Sequence, residues 1–437
     1  MINLKSTFRI VILLLFVLGI ASCSSDDDNG INPNPITKVN LNVENVLQAK
    51  TLVESGTFES NDAHAPFTFP GESTSFTFSA AKGQSITFAA MYGWSNDLFF
   101  APVNPGIALY DAQGNPIEGD VSDHVKLWDN GTRINQAPGA NVVHPGDSDQ
   151  QNIKEVEATD DQGNTYLPAA QLINVSLKYN GDSTFTLTLK NTSGGTTNET
   201  PLTPGVWAVS YVAGGNLLDP NPLYEDGTNT YSGLTKLAVM GDNSEIAADV
   251  DAETGIFTPL SPILIVVYNG IENPIFNIGA QDRGEGLTAL AQSGNATTLA
   301  DALKSKSGVE KVYVLPDPQN TVLLPSIGGN PGGKVSQELL LKEGDKIAIA
   351  TMYGFSNDWF FAFGSDGISA DLRGDVSSHI KLYDDGTAVN QFPGAGVNQL
   401  NLGGTPTPEA NSINEVPNPN AFTTLPDLSS IIKVTLN

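Results

Sequence analysis

Cysteine, histidine and basic residues are all scarce in this 437-residue chain: one Cys, four His, and 21 Lys plus Arg against 48 Asp plus Glu. The cysteine is Cys23, so everything after it must fold without disulfides, on its cores or on metal. The histidines His64, His124, His144 and His379 show no ligand spacing, and nothing suits zinc. His124 and His379 recur on a strand pattern, which predicts a buried or cross-strand role for both. The shortage of base leaves a net charge of −27. Such a surface repels nucleic acid and anionic membrane, and it favours divalent cations or neutral partners such as glycans. The apolar run Ile10–Ile20 is short for a membrane span and breaks at Gly19.

That run has another reading. Lys5 and Arg9 precede it, and Ile20-Ala21-Ser22-Cys23 closes it. This is the pattern of a bacterial lipoprotein signal, residues 1–22, cleaved before Cys23, which then carries the lipid. An acidic flexible tether over 23–37 follows, beginning Ser24-Ser25-Asp26-Asp27-Asp28. An acidic run after a lipidated cysteine resembles the export signal of surface lipoproteins. It implies an outer-membrane protein displayed on the outer face, held to the membrane by the lipid anchor alone.

The length suits two domains with sizeable cores. Short runs rich in Val, Ile, Thr, Phe and Tyr, separated by turn dipeptides such as Pro70-Gly71 and Lys82-Gly83, predict strands. Many strands at this spacing argue for a mainly β chain of two tandem antiparallel β-sandwich domains. Sandwich one is assigned to 38–181, because INVSLKYN ends its copy much as IIKVTLN ends the other. Sandwich two then covers 182–437, with duplicated strand–helix inserts at 202–315. The inserts share Gly-Leu-Thr-x-Leu-Ala, at Gly233 and at Gly286. The unit around Gly233 is expected on the first sandwich or at the junction, and that around Gly286 on the second. Thr297 is the expected helix cap of the later unit.

The main duplication carries the chemistry. Met91–Ala101, MYGWSNDLFFA, recurs at Met352–Ala362 as MYGFSNDWFFA. GDVSDHVKLWDNGTRINQAPGA from Gly119 recurs from Gly374 as GDVSSHIKLYDDGTAVNQFPGA. If the strands within each copy are neighbours, Asp97 and Asp129 emerge at one end of the first sandwich, and Asp358 and Asp384 at one end of the second. Two carboxylates with a nearby asparagine, Asn135 or Asn390, and free carbonyls suit calcium, which takes six to eight oxygens. The competing reading is turn chemistry alone, since Asn130-Gly131 and Asp385-Gly386 are strong hairpin dipeptides.

The conjunction of SNDWF, a strand ending in LYD-x-GT and then N-Q-x-P-G resembles the spondin domain family, over about Lys334–Asn437 and Ser75–Tyr179. The Gly-Leu-Thr units are similar to the helical insert of its bacterial members. The resemblance implies a calcium-bearing antiparallel sandwich, used in matrix adhesion by the animal members. It carries the first motif's aspartate onto Asp97 and Asp358 and the second's onto Asp129 and Asp384. The family often places an acid four residues after the second aspartate, where this chain has Arg133 and Ala388. Arg133 is therefore expected to pair with Asp97 or Asp129 and weaken the first site.

These features imply a non-enzymatic, lipid-anchored binding or adhesion protein whose partner is an extracellular protein or glycan. One alternative is a surface glycan-binding lipoprotein of an uptake system, with Trp94, Trp128 and Trp359 as stacking platforms, although core packing suits those positions better. A carboxylate-dependent glycoside hydrolase is the other, weakened by the absence of Glu from both core motifs.

Overall fold

Two kinds of strand build the molecule. Ser73–Ser79 alternates, burying Thr74, Phe76 and Phe78 while the residues between face out, so one face alone is covered. Ile263–Tyr268, ILIVVY, is apolar throughout and buried throughout, which requires cover on both faces. The computed structural model describes residues 36–61, 66–316 and 321–437. Cys23, the leader, most of the tether and His64 lie outside the described residues. Strand makes up 36% and helix 13%, a mainly β architecture of antiparallel sheets.

In the first half a seven-stranded sheet runs Leu52–Phe58, Leu202–Ser210, Ser85–Tyr92, Leu98–Pro102, Val125–Asp129, Lys154–Glu155, with Ile107–Ala108 to one side. One face meets a four-stranded sheet of Ser73–Ser79, Thr184–Asn191, Ile173–Gly181 and Gly119–Asp120. Phe78, Phe185 and Leu187 of the small sheet pack there with Phe88, Phe100 and Trp207 of the large one. The other face carries the helices Ser232–Met240 and Ser244–Glu253, whose Leu234, Leu237, Ile246 and Val250 cover Ala89, Phe99 and Val206. The second half repeats these three layers. Its large sheet runs from Val309–Leu315 through Ile263–Tyr268, Lys346–Met352, Trp359–Phe363 and Ile380–Asp384 to Asn414–Glu415. The helices Leu287–Ser293 and Thr297–Lys304 lie on it through Leu290, Leu299 and Leu303.

The domain boundaries differ from those expected. Thr184–Asn191 does not open the second sandwich. Asp182 and Ser183 sit at φ 50° and 69°, the two positive values of a tight hairpin turn, and fold this strand back against Ile173–Gly181 in the first. In the second sandwich the place beside Ile432–Leu436 is filled by Thr37–Asn45, which pairs Val43 with Val434 on one side and with Val335 on the other. Strand 37–45 thus belongs to sandwich two, and the chain from Leu52 to Glu253 forms sandwich one between the parts of its neighbour. The strand–helix unit follows the first core and precedes the second. The Gly233 unit packs on the first sandwich and the Gly286 unit on the second, as their repeat suggested. Thr297 is the first residue of its helix rather than the cap; the Asn295 Oδ1 accepts its N–H at 3.0 Å.

The halves meet through aromatic rings and a few polar contacts. Phe257, Tyr211 and Phe355 form a triangle of rings, with centroids 5.6 to 6.3 Å apart. Gln84 Nε2 donates to the Gly394 carbonyl at 3.0 Å, and the Val397 N–H donates to Ser183 Oγ at 2.7 Å. Among the described residues no helix is long and apolar enough to cross a membrane.

Candidate metal centres

Each Ser-Asn-Asp tripeptide divides three tasks. The serine shapes the turn: Ser95 Oγ donates to the Tyr92 carbonyl at 2.6 Å and accepts the Leu98 N–H at 3.1 Å, and Ser356 does the same with Tyr353 and Trp359 at 2.9 and 2.9 Å. The asparagine staples the distant N-Q loop, since Asn96 Oδ1 accepts the Gln136 N–H and Asn357 Oδ1 the Gln391 N–H, both at 2.9 Å. The aspartate ties down the Gly-Thr turn. Asp97 Oδ2 accepts the N–H groups of Thr132 and Arg133 at 2.7 and 2.9 Å, and Asp358 Oδ2 those of Thr387 and Ala388 at 2.7 and 2.9 Å.

The second aspartates arrive on the adjacent strand, where Leu98 faces Asp129 and Trp359 faces Asp384 in the antiparallel register. One oxygen of each closes its own turn, accepting the Gly131 or Gly386 N–H at 2.8 Å. The other accepts the asparagine amide: Asn135 Nδ2 to Asp129 at 2.8 Å, Asn390 Nδ2 to Asp384 at 2.5 Å. Gly131 and Gly386 are needed here, at φ 74° and 70°, and a side chain on either would strike the carbonyl of Gln151 or Asn411.

Turn chemistry therefore uses only part of what the repeat holds. Asp97 Oδ1, Asn135 Oδ1, Asp358 Oδ1 and Asn390 Oδ1 are buried without a hydrogen-bond partner. Asp97 and Asp358 themselves have no exposed surface. A bare buried carboxylate oxygen costs its full desolvation, and the same atoms are left bare in both copies. The electrostatics agree. Burial, and then the charge of Asp129, pushes Asp97 up to about 7. Burial, and then Asp384, does the same to Asp358, also to about 7. All six residues expected at the sites, Asp97, Asp129 and Asn135 with Asp358, Asp384 and Asn390, are thus brought together in two matching sets. Among the described residues no three His, Cys, Asp or Glu gather to hold an ion by themselves; each set has two carboxylates and one amide oxygen.

Arg133 does not do what was expected of it. It forms no ion pair with Asp97 or Asp129; its Nη1 donates to Ser148 Oγ at 3.0 Å, and only its backbone N–H reaches Asp97. The cation that faces the first site is Lys154, directly across the strand pair from Asp129 and paired with Asp161. Burial raises Asp129, while the Gly131 N–H and then the charge of Lys154 pull it part of the way back. The matching position in the second copy is Asn414, opposite Asp384. A second exchange lies beside it. Asn130 accepts the Thr230 hydroxyl at 2.5 Å and donates to Thr235 at 3.3 Å. Its counterpart Asp385 is fully buried, bonds Thr387 at 2.9 Å, and is pushed to about 7 by burial and then by Asp282. Neither exchange follows from residue type alone. The Asn130/Asp385 difference was the one visible signal, inside a motif that otherwise reads as a turn.

His124 and His379 are exposed, ending short 3-10 turns rather than lying in strands. The turn itself is what recurs: Asp120 Oδ1 accepts the Ser122 N–H at 2.9 Å, as Asp375 Oδ1 does from Ser377 at 2.9 Å. Trp128 and Trp359 are 2% exposed and belong to the cores, whereas Trp94 is half-buried beside a cleft. No family model matches the chain, and no curated protein matches it.

Proposed function

We propose that this is a lipid-anchored protein of the outer cell surface, a non-enzymatic binding or adhesion module in which two spondin-like sandwiches each hold a calcium ion. The observation that carries the reading is the pair of bare oxygens, Asp97 Oδ1 with Asn135 Oδ1 and Asp358 Oδ1 with Asn390 Oδ1, beside a second carboxylate in each copy. Asp97, Asp129 and Asn135 would hold the first ion, and Asp358, Asp384 and Asn390 the second, with carbonyls and water completing the shell. Hard oxygen donors with no sulfur or imidazole select calcium over softer metals. The bound ion supplies charge that turns the carboxylate repulsion into attraction. It ties the Ser-Asn-Asp loop to the Asp-x-Gly-Thr loop where no disulfide is available. Two such modules in one chain would raise avidity for a repetitive partner. Hydrolysis of a glycoside would need carboxylates open to a sugar, and Asp97 and Asp358 are sealed.

The test is thermal unfolding in millimolar calcium and in chelator, on the parent and on Asp358→Asn. Calcium is expected to stabilise the parent by roughly 2.7 kcal/mol for each site at a hundredfold excess over that site's dissociation constant, and Asp358→Asn is expected to lose the share of the second site. An unchanged unfolding curve in calcium would leave both motifs as turns. The anchor is tested separately by membrane fractionation of Cys23→Ala, which should leave the membrane fraction.

A further inference from the structure

Each half has a cleft in the same place, and the two clefts differ in chemistry. Met91, Gly93, Pro201 and Thr203 line the first, and Met352, Gly354, Pro259 and Ser261 the second. Glycine sets the close approach of the elements: a Cβ on Gly93 would meet the Pro201 carbonyl oxygen at 2.7 Å, and one on Gly354 that of Pro259 at 2.5 Å. The volumes are about 600 and 520 Å³, within the range of small-molecule sites.

The second cleft is finished with small polar groups, among them Ser293, Asn295 and Asn401, and no charged residue lines it. Its aromatic residue, Phe355, is only 7% exposed, committed to the ring stack between the halves. The first cleft is finished with Trp94, Phe67, Phe69 and Met240, together with Arg133 and His144. Phe67, Phe69 and Met240 are 38, 43 and 73% exposed. Large apolar side chains gathered round one opening mark a surface that is used.

Arg133 decides what uses it. In a chain with 48 acidic residues, its guanidinium has no carboxylate partner among the described residues. It is held by Ser148 at 3.0 Å, and its Nε is buried and unbonded. A guanidinium presents a planar fork that matches a carboxylate with two parallel hydrogen bonds. Beside it, aromatic rings offer a stacking surface for the flat or ring-shaped body of a ligand. The net charge of −27 opposes an anion at long range, so a carboxylate would be held here by close contact with Arg133 rather than by the field of the whole protein.

We propose that the cleft of the first half binds a ring compound bearing a carboxylate, with the ring against Trp94 and Phe69 and the carboxylate on Arg133. Two sources share this chemistry: a uronic acid unit of an acidic polysaccharide, and a free aromatic acid. None of Asp97, Asp129 and Asn135 lines the cleft, so the inference does not rest on the cation sites.

The experiment titrates the full-length chain in detergent, with chelator present, against galacturonic acid trimer, phenylacetate and the neutral cellotriose, read by calorimetry and tryptophan fluorescence. At least one acid is expected to bind, at least about tenfold more tightly than cellotriose, and Arg133→Gln to weaken it by at least about tenfold. Circular dichroism checks that the variant is folded. Should Arg133→Gln fail to fold, Arg133→Lys keeps the charge without the fork and is expected to weaken binding several-fold. Binding of the galacturonic acid trimer assigns the site to acidic glycan, and binding of phenylacetate alone to a free aromatic acid. Equal binding of cellotriose, an unchanged affinity in the folded Arg133 variant, or no response to either acid would overturn the proposal.

Discussion

The two loop sites share a backbone and differ in their neighbours. In the first, Lys154 stands across the strand pair from Asp129, and Asn130 settles between Thr230 and Thr235. In the second, those places hold Asn414 and Asp385, with Asp282 beyond. One copy sets a lysine, itself paired with Asp161, across from its second aspartate; the other adds the buried carboxylate of Asp385. On the proposed reading, affinity for a cation would be tuned by residues that bind none of it, and a closely matching pair of motifs need not give equal sites.

The largest expected effect separates the two halves. Leu41 is fully buried in the strand Thr37–Asn45, and Leu41→Ala should cost roughly 2–5 kcal/mol. Because that strand is central in the second sandwich, amide exchange measured by mass spectrometry should show lost protection after Ile263. Loss confined to residues 52–253 would contradict the pairing.

Next comes the exchange of neighbours at the loop sites. Asn414→Lys should weaken the calcium response of the second copy, and Lys154→Asn should strengthen that of the first. Each change should amount to about 1–2 kcal/mol, roughly five- to thirtyfold in affinity, for a charge a few ångströms from the site at a surface-like dielectric. Calorimetric titration of the two variants reads it. Equal affinities in both would remove Lys154 as the source of the difference.

The pH dependence is smaller and has a definite sign. An acid raised to about 7 when folded, as Asp358 is, holds its proton more tightly in the folded state than in the unfolded one. In chelator its contribution is complete below the unfolded value of 3.8 and is lost as pH rises towards 7. Asp358→Asn cannot ionise, so at pH 8 in chelator it should melt above the parent, by about 1–3 kcal/mol. In saturating calcium the order should reverse. A variant that melts below the parent in both conditions would mean that the carboxylate stabilises the loop without a cation.

Asp385→Asn should have the smallest effect. It restores the residue of the first copy and removes one buried charge, and about 1 kcal/mol of stabilisation in chelator is expected. Destabilisation would show that Asp385 makes a contact worth more than its repulsion with Asp282.

Strands, duplication and the gathering of Asp97, Asp129 and Asn135, and of Asp358, Asp384 and Asn390, at matching loops were legible in the sequence because each depends on local pattern. Alternation in Ser73–Ser79, unbroken apolarity in Ile263–Tyr268 and the repeated Ser-Asn-Asp with Asp-x-Gly-Thr are written in consecutive residues. Side-chain tasks within a turn are local too, so the aspartates could be placed at one end of a sandwich before any fold was known. Partnership across hundreds of residues was not legible. Nothing in Thr37–Asn45 says that it pairs with Lys334–Leu341 and Ile432–Leu436, because a half-buried strand fits any sheet with the same alternation. Lys154 likewise reads as an ordinary surface lysine until strand register sets it opposite Asp129. Arg133, four residues after that aspartate, looked the nearer cation, but its side chain turns to Ser148. Sequence alone determined what the elements are and which atoms the turns need; tertiary pairing decided which half each strand completes and which charge each carboxylate meets, since both are relations of space.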